Sequence, residues 1–169
     1  MLFQDEARFG RISDPRACWV PPGVRACVPA HHIREYLYLY AATDPFSGAM
    51  TSLIHPDVNA HAMSSFLALV ANEFPNEQIL MVMDGAGWHR AAELVIPDRI
   101  TILLLPPYSP ELNPAEHLWD ELREKYFANR VFDDLDAVYS QIITAVRSLI
   151  ADQPRVASLT GFDWIVRGR

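Results

Sequence analysis

Lysine is almost absent from this chain. Of its 14 basic residues 13 are arginine, and 21 Asp and Glu outnumber them to leave a net charge of −7. That balance argues against a simple basic nucleic-acid-binding module. It leaves room for an enzyme whose carboxylates hold metal ions against a phosphate substrate, because the ions supply the positive charge. Cysteine is scarce too: Cys18 and Cys27 are the two in 169 residues, which suits a reducing cytoplasm. With His31 and His32 they read C-x8-C-x3-H-H, which lacks the tight knuckle of a structural zinc site, so no zinc is expected. No apolar run is long enough to span a membrane. The start, Met-Leu-Phe-Gln-Asp-Glu, places an acidic pair where a signal peptide would be basic. Gly85-Ala86-Gly87 is too short for a phosphate-cradling loop. With no internal repeat or linker either, the expectation is a single domain over 1–169.

What is present is an alternation of strand and helix. Leu2 to Gln4 reads as the end of a strand that stops at Asp5. Glu35 to Thr43 has strong β character, with Tyr36, Tyr38 and Tyr40 on one face and Leu37 and Leu39 on the other. The turn Asp44-Pro45-Phe46-Ser47-Gly48 leads into a partner strand, Ala49 to His55. Asn59 can cap a helix whose Met63, Phe66, Leu67, Val70 and Phe74 recur at helical spacing up to Pro75. Gln78 to Met83 is a buried strand, a short helix is predicted over Arg90 to Val95, and Ile100 to Leu105 is the fifth strand. A helix after Pro114 would bury Leu118, Trp119, Leu122 and Tyr126. Another, about Asp134 to Ile150, carries the stripe Leu135, Val138, Ile142, Val146 and Leu149. The tail from Gln153 shows little periodicity, but its Phe162, Trp164 and Ile165 are expected to dock on the body. The order predicts an α/β fold: a mixed five-stranded sheet with helices on its faces, antiparallel in the hairpin and parallel in the second half.

Three carboxylates stand out. Asp84 directly follows a buried strand, where ligands gather in α/β sheets. Asp5 would end a neighbouring strand in the same way. Glu116 follows a loop stiffened by Pro106, Pro107, Pro110 and Pro114, with Asn113 as a candidate N-cap. Brought together, the three would repel one another unless a divalent ion neutralised them, and hard oxygen ligands select Mg²⁺ or Mn²⁺. Two such ions suit an in-line phosphoryl displacement. Taken singly, each acid also reads as an ordinary turn, helix-end or surface residue.

Three stretches carry a family resemblance. They are Phe3-Gln4-Asp5-Glu6-Ala7-Arg8-Phe9-Gly10, then Met83-Asp84-Gly85-Ala86-Gly87-Trp88-His89, then Leu105-Pro106-Pro107-Tyr108-Ser109-Pro110-Glu111-Leu112-Asn113-Pro114-Ala115-Glu116-His117-Leu118-Trp119. Together they resemble the catalytic domain of mariner-like bacterial insertion-sequence transposases, the insertion-sequence six-thirty branch of the DDE superfamily. The resemblance implies a ribonuclease-H-like fold and Mg²⁺- or Mn²⁺-dependent DNA strand cleavage and strand transfer at transposon ends, with Asp5, Asp84 and Glu116 as the catalytic, metal-binding triad for two ions. It further implies double-stranded DNA as partner and a homodimer to bring two ends together; the lack of a long apolar run and the few cysteines add the expectation of no membrane association and a cytoplasmic location. Two departures are visible. Gly85 stands where many relatives have Asn, and Asp84 and Glu116 are 32 positions apart, slightly closer than in many relatives. Helix-turn-helix modules that precede the first Asp in full-length relatives are not seen here, so a separate helix-turn-helix polypeptide is an implied partner.

Two rival readings remain open at this point. One is a ribonuclease-H-like nuclease without strand transfer; the other is an inactive transposase remnant acting as a regulator. Other side chains have candidate roles. Arg8, Arg11, Arg16 and Arg25 could hold a DNA backbone or pair with local acids. His89 and His117 could orient water or phosphate, though packing or helix-end polarity is the expected role for each. Glu6 should point away from Asp5 if the strand is extended.

Overall fold

The computed structural model describes residues 1–167. Five strands form one sheet: β1 (Leu2–Ile12), β2 (His32–Thr43), β3 (Met50–His55), β4 (Ile79–Met83) and β5 (Ile100–Leu104), in the order β3-β2-β1-β4-β5. β1 pairs with β2 and β2 with β3 antiparallel; β1 pairs with β4 and β4 with β5 parallel. This is the expected mixed sheet. The helices are α1 (Ala60–Glu73), α2 (Glu116–Leu122), α3 (Leu135–Ile150), α4 (Gln153–Thr160) and the single turn α5 (Asp163–Val166). Among the described residues, no helix is long and apolar enough to cross a membrane.

The pleat of β1 sorts its side chains between two cores. Ala7 and Phe9 face a core built with Leu39 and Ala41 of β2 and with Leu118, Trp119, Leu122, Val138, Ile142 and Leu149 of α2 and α3. Leu2, on the other face, joins Tyr40, Ala42, Met81 and Met83 against Met63, Phe66, Leu67 and Val70 of α1. The predicted stripes are therefore the faces that pack. Both long helices are capped as their sequences suggest: Asn59 accepts from the Ala62 amide at 2.9 Å, and Asp134 from the Ala137 amide at 2.7 Å.

Four expectations need correcting. β1 does not stop at Asp5; it runs on to Ile12, so Asp5 sits inside a strand. Hydrogen bonding along the whole of β2, from Phe3–Thr43 to Gly10–Tyr36, carries it through a stretch whose charges obscure the alternation. The helix predicted over Arg90 to Val95 is absent; a 3₁₀ turn at Gly87–His89 takes its place, and the chain then continues in turns. The tail is helical: Asp152 accepts from the Arg155 amide to start α4, which buries Val156 and Thr160. α2 opens at Glu116 rather than Pro114, and Asn113 does not cap its first residues in the expected way. The docking of the tail is as expected. Ile165 and Phe162 pack with Phe3 and Val82, and the Trp164 ring meets Phe3 edge-on at 6.2 Å.

Candidate active site

Register brings the two aspartates together. Leu2 pairs with Met81 and Phe3 with Val82, so continuing the parallel ladder sets Asp84 beside Asp5. β4 ends one residue before Asp84, while β1 continues. The third acid arrives from the opposite side. The prolines after β5 carry the chain across the strand ends, and Glu116 is the first residue of α2. Asp5, Asp84 and Glu116 line one cavity of about 410 Å³, together with Arg90, Tyr108 and Asn113.

Each acid is held differently. Asp5 is buried, 8% exposed, and its Oδ2 accepts from Trp119 Nε1 at 2.7 Å. Trp119 lies one turn after Glu116 on α2, so a single helix supplies the third carboxylate and the donor that anchors the first. A buried indole N–H needs such an acceptor. Burial, and then the charge of Glu116, push the Asp5 carboxyl up to about 7. Burial also raises Glu116; Arg123 pulls it back, and Asp120 and Asp84 push it further up. Asp84 is the exposed member. Its Oδ1 accepts from the Ala86 amide at 3.0 Å and lies 2.8 Å from His89 Nδ1, and this hydrogen bond leads the effects that lower its pKa.

His89 is buried between two acids. Its Nδ1 faces Asp84, and its Nε2 lies 2.9 Å from Glu6 Oε1, which also accepts from Trp88 Nε1 at 3.2 Å. Burial alone would lower the His89 pKa, but the hydrogen bonds to Asp84 and Glu6 together raise it to about 10. At neutral pH the ring is an imidazolium that donates from both nitrogens. Glu6 thus points away from Asp5, as the pleat requires. His117 turns away from the cavity; its Nδ1 is 3.1 Å from the Leu159 carbonyl and its ring packs on Phe162 at 4.8 Å.

Asn113 does more than a cap. Its Nδ2 donates to the Gln4 carbonyl of β1 at 2.9 Å and its Oδ1 accepts from the Ala115 amide at 3.2 Å. The proline loop is thereby tied to the strand residue preceding Asp5, and the Glu116 amide closes the turn onto the Asn113 carbonyl. Gly85 has a clear consequence as well. A Cβ there would come within 2.5 Å of the Arg90 guanidinium, so the glycine makes room for that cation beside Asp84. Trp119, Arg90, Arg123 and the double pairing of His89 were not singled out from the sequence. Trp119 and Arg123 could have been found, because they follow Glu116 at helical spacing.

The donor chemistry fits a hard divalent cation. All three groups offer carboxylate oxygens, and the two most buried ones are held up in pKa by burial and by like charge, a strain that a cation relieves. As they stand the side chains are not drawn into a ligand cluster: among the described residues no three His, Cys, Asp or Glu form one. Asp5 and Asp84 are instead turned to their own hydrogen-bond donors. Cys18 and Cys27 are exposed, are not disulfide-bonded and lie outside the cavity.

Comparison with known proteins agrees with this architecture. The sequence model of the family described as DDE superfamily endonuclease matches residues 1–139. A Sinorhizobium fredii (strain NBRC 101917 / NGR234) protein named uncharacterized protein y4pE/y4sA is 34% identical over 134 residues, covering 78% of this chain and 98% of that one. The transposable element Tcb1 transposase of Caenorhabditis briggsae is 38% identical over 77 residues, 41% of this chain and 26% of that one. Among solved structures, the Mos1 transposase paired-end complex with left transposon end superposes with a TM-score of 0.62 at 19% identity, covering 95% of this chain and 55% of that one. The Mos1 mariner paired-end complex with Mn gives 0.60 at 18% identity, covering 95% and 56%. At such identities the likeness is one of fold, a ribonuclease-H-like sheet. The chain spans about half the length of Mos1 transposase and about a quarter of Tcb1 transposase.

Proposed function

The chain belongs to the DDE superfamily endonucleases, and from that membership we propose that it is a transposase catalytic domain that cuts DNA at transposon ends and joins the freed end to target DNA. Asp5, Asp84 and Glu116 would hold two Mg²⁺ or Mn²⁺ ions. The observation that carries this reading is that three carboxylates, from a central strand, the end of its parallel neighbour and the start of a helix, line one cavity. The solved Mos1 transposase complexes with Mn and with Mg support the choice of ion.

Bound between these carboxylates, the ions would supply the positive charge that stabilises the attacking and leaving oxygens of an in-line phosphoryl displacement. The chain's own residues do the rest by position. Trp119 holds one oxygen of Asp5 while the carboxylate lines the cavity. His89 and the Ala86 amide fix Asp84 at the end of β4. Asn113 ties the loop before Glu116 to β1, so the acid on α2 keeps its distance from the strand ends. With water as the attacking group no protein nucleophile is needed, so strand cleavage should pass through no covalent protein–DNA intermediate, although the Tyr108 and Ser109 hydroxyls line the cavity. Water attacks the phosphodiester and the P–O3′ bond breaks, freeing a 3′-hydroxyl; that hydroxyl then attacks a target phosphodiester at the same carboxylates, forming a new P–O3′ bond as the target strand's own 3′-oxygen leaves. Pairing of two ends makes a homodimer the working unit, and a helix-turn-helix polypeptide supplies end recognition.

The test is Mg²⁺-dependent cleavage of a labelled transposon end by Asp84→Asn and Glu116→Gln chains, with circular dichroism to check the fold. Both variants should be folded and inactive; undiminished cleavage by either overturns the assignment. Strand-transfer products from the same labelled end separate transposition from hydrolysis alone, since a chain that only nicks is a nuclease.

A further inference from the structure

The central strand outruns its neighbour. β4 pairs with β1 only at Leu2 and Phe3, whereas β1 continues to Ile12 with β2 on its other side. From Asp5 onward the edge of β1 that faces away from β2 has no strand beside it among the described residues. A second cavity, about 610 Å³, runs along this free edge. It shares Asp5, Asp84 and Glu116 with the first and extends past Arg8, Gly10 and Arg123. A smaller cavity of about 90 Å³ continues past the same two arginines to Arg130. The groove is therefore acidic where the carboxylates lie and basic beyond them.

Arg8 and Arg123 lie outside the close ion pairs that hold Arg11 and Arg16. Arg11 is paired with Glu35 at 2.7 Å and Arg16 with Asp14 at 2.8 Å, while Arg25 is exposed on the irregular segment between β1 and β2. Neither Arg8 nor Arg123 forms a close ion pair among the described residues, although the Arg123 charge acts on Glu116 across the cavity. Each rests on a ring instead: the Arg8 guanidinium lies 4.3 Å from the Tyr36 centroid, and that of Arg123 lies 5.7 Å from Phe9. Phe9 belongs to the core face of β1 and Arg8 to the opposite face, so the two cations flank the free edge. Gly10 makes the Tyr36 platform possible, because a Cβ there would meet the Tyr36 ring at 2.4 Å. Tyr38 and Trp88 line the same wall.

We propose that this groove is a track for one unpaired nucleic-acid strand leaving the carboxylate site, with Arg8 and Arg123 gripping successive phosphates from either side of β1. A cleft of this volume takes a ligand of nucleotide size. Planar guanidiniums backed by rings, with tyrosine and tryptophan beside them, are the means by which proteins hold a single strand without reading its sequence. The inference rests on the transposase reading for its substrate and adds that the strand is unpaired beside the reacting phosphate.

The test measures binding of two labelled DNAs by fluorescence anisotropy, one a blunt duplex and the other the same duplex with a short single-stranded extension. All chains carry Glu116→Gln so that the probe stays intact. The extension should tighten binding roughly tenfold, and Arg8→Ala with Arg123→Ala should abolish that gain. Each lost phosphate contact should flatten the salt dependence, by about 0.7 in the slope of log K against log salt for a single strand. Arg8→Lys with Arg123→Lys should keep the slope and lose part of the gain, and Arg16→Ala should keep both. Thermal unfolding checks that the variants are folded. Equal affinity for the two DNAs, or an extension gain that survives the double alanine change, overturns the proposal. The two readings fail separately. If the chain with Glu116 intact cleaves no DNA but the gain depends on the arginines, the strand track stands and the transposase reading falls; cleavage without any gain does the reverse.

Discussion

Asp5 and Glu6 are adjacent acids with opposite fates. Extended backbone turns them to opposite faces of β1, so one meets Trp119 and the other meets His89. His89 is then the link between the two halves of the site, because it also holds Asp84. If Asp84 holds a metal ion, a side chain that orients it typically matters 10- to 100-fold in metal affinity. We expect His89→Ala to weaken Mn²⁺ binding, read directly by calorimetry, by roughly that factor. Glu6→Gln should weaken it less, because the glutamine amide still offers an oxygen to Nε2. Mn²⁺ affinity unchanged in His89→Ala would show that Asp84 needs no support. Gly85 allows a second measurement. Gly85→Asn would displace the Arg90 guanidinium from its place beside Asp84. The chain should remain folded, and its affinity for DNA should fall with a flatter salt dependence; an unchanged slope would mean that Arg90 does not face the DNA.

At the scale of elements, the loop and helix around Glu116 act as one unit, and Asn113 is its fastening. The Asn113 side chain is buried and satisfied at both ends, by Gln4 on β1 and by Ala115 in its own turn. Losing such a pair costs roughly 1–3 kcal/mol, largely because the Gln4 carbonyl is left buried without its donor. Asn113→Ala should lower stability by about that amount in urea unfolding, and should reduce cleavage further than the stability loss accounts for, since Glu116 loses its tether to β1. A variant that is destabilised but fully active would make Asn113 merely structural. Much of this was legible in the sequence: the proline spacing marked the loop, and the apolar stripes of α1 and α3 marked the packed faces. The parts that were not legible depend on partners distant in the chain. β1 reads as a short strand end because Asp5 interrupts the apolar face that Phe3, Ala7 and Phe9 would otherwise continue, and only the β2 ladder holds it to Ile12. Asn113 reads as a cap because its partner lies 109 positions away. α4 lacks a strong stripe, and it forms where Asp152 starts it and Val156 packs on the core.

The whole molecule carries a net charge of −7 and concentrates buried acid in one cavity, and this has a consequence for its stability. Asp5 has a folded pKa of about 7 against an ordinary value of 3.8. A raised acid keeps its proton in the folded chain while the unfolded chain has lost it, so its stabilising contribution is complete below pH 4 and disappears as pH rises through 7. Glu116 is shifted in the same direction. His89, raised from 6.5 to about 10, contributes stability that is complete below 6.5 and lost as pH rises towards 10. Asp84, lowered, acts in the opposite sense, but its window lies below 3.8. Between pH 5 and pH 8.5 every one of these shifts that is active therefore destabilises the chain as pH rises. For Asp5 alone the limit over this range is about 3 kcal/mol. The melting temperature of the metal-free chain should fall by roughly 5–10 °C across that range. If the carboxylates hold divalent ions, Mg²⁺ or Mn²⁺ should restore most of the loss at pH 8.5, where Asp5 is ionised, and do little at pH 5, where Asp5 is protonated and the ion must displace that proton. Asp5→Asn should remove the part of the pH dependence below about pH 7 together with the metal response, and leave the part above it that His89 carries. Differential scanning calorimetry at the two pH values, with and without Mg²⁺, checks all of this in one set of scans. A melting temperature that rises with pH, or an equal metal response at pH 5 and 8.5, would overturn the picture of a site strained by its own charge and relieved by cations.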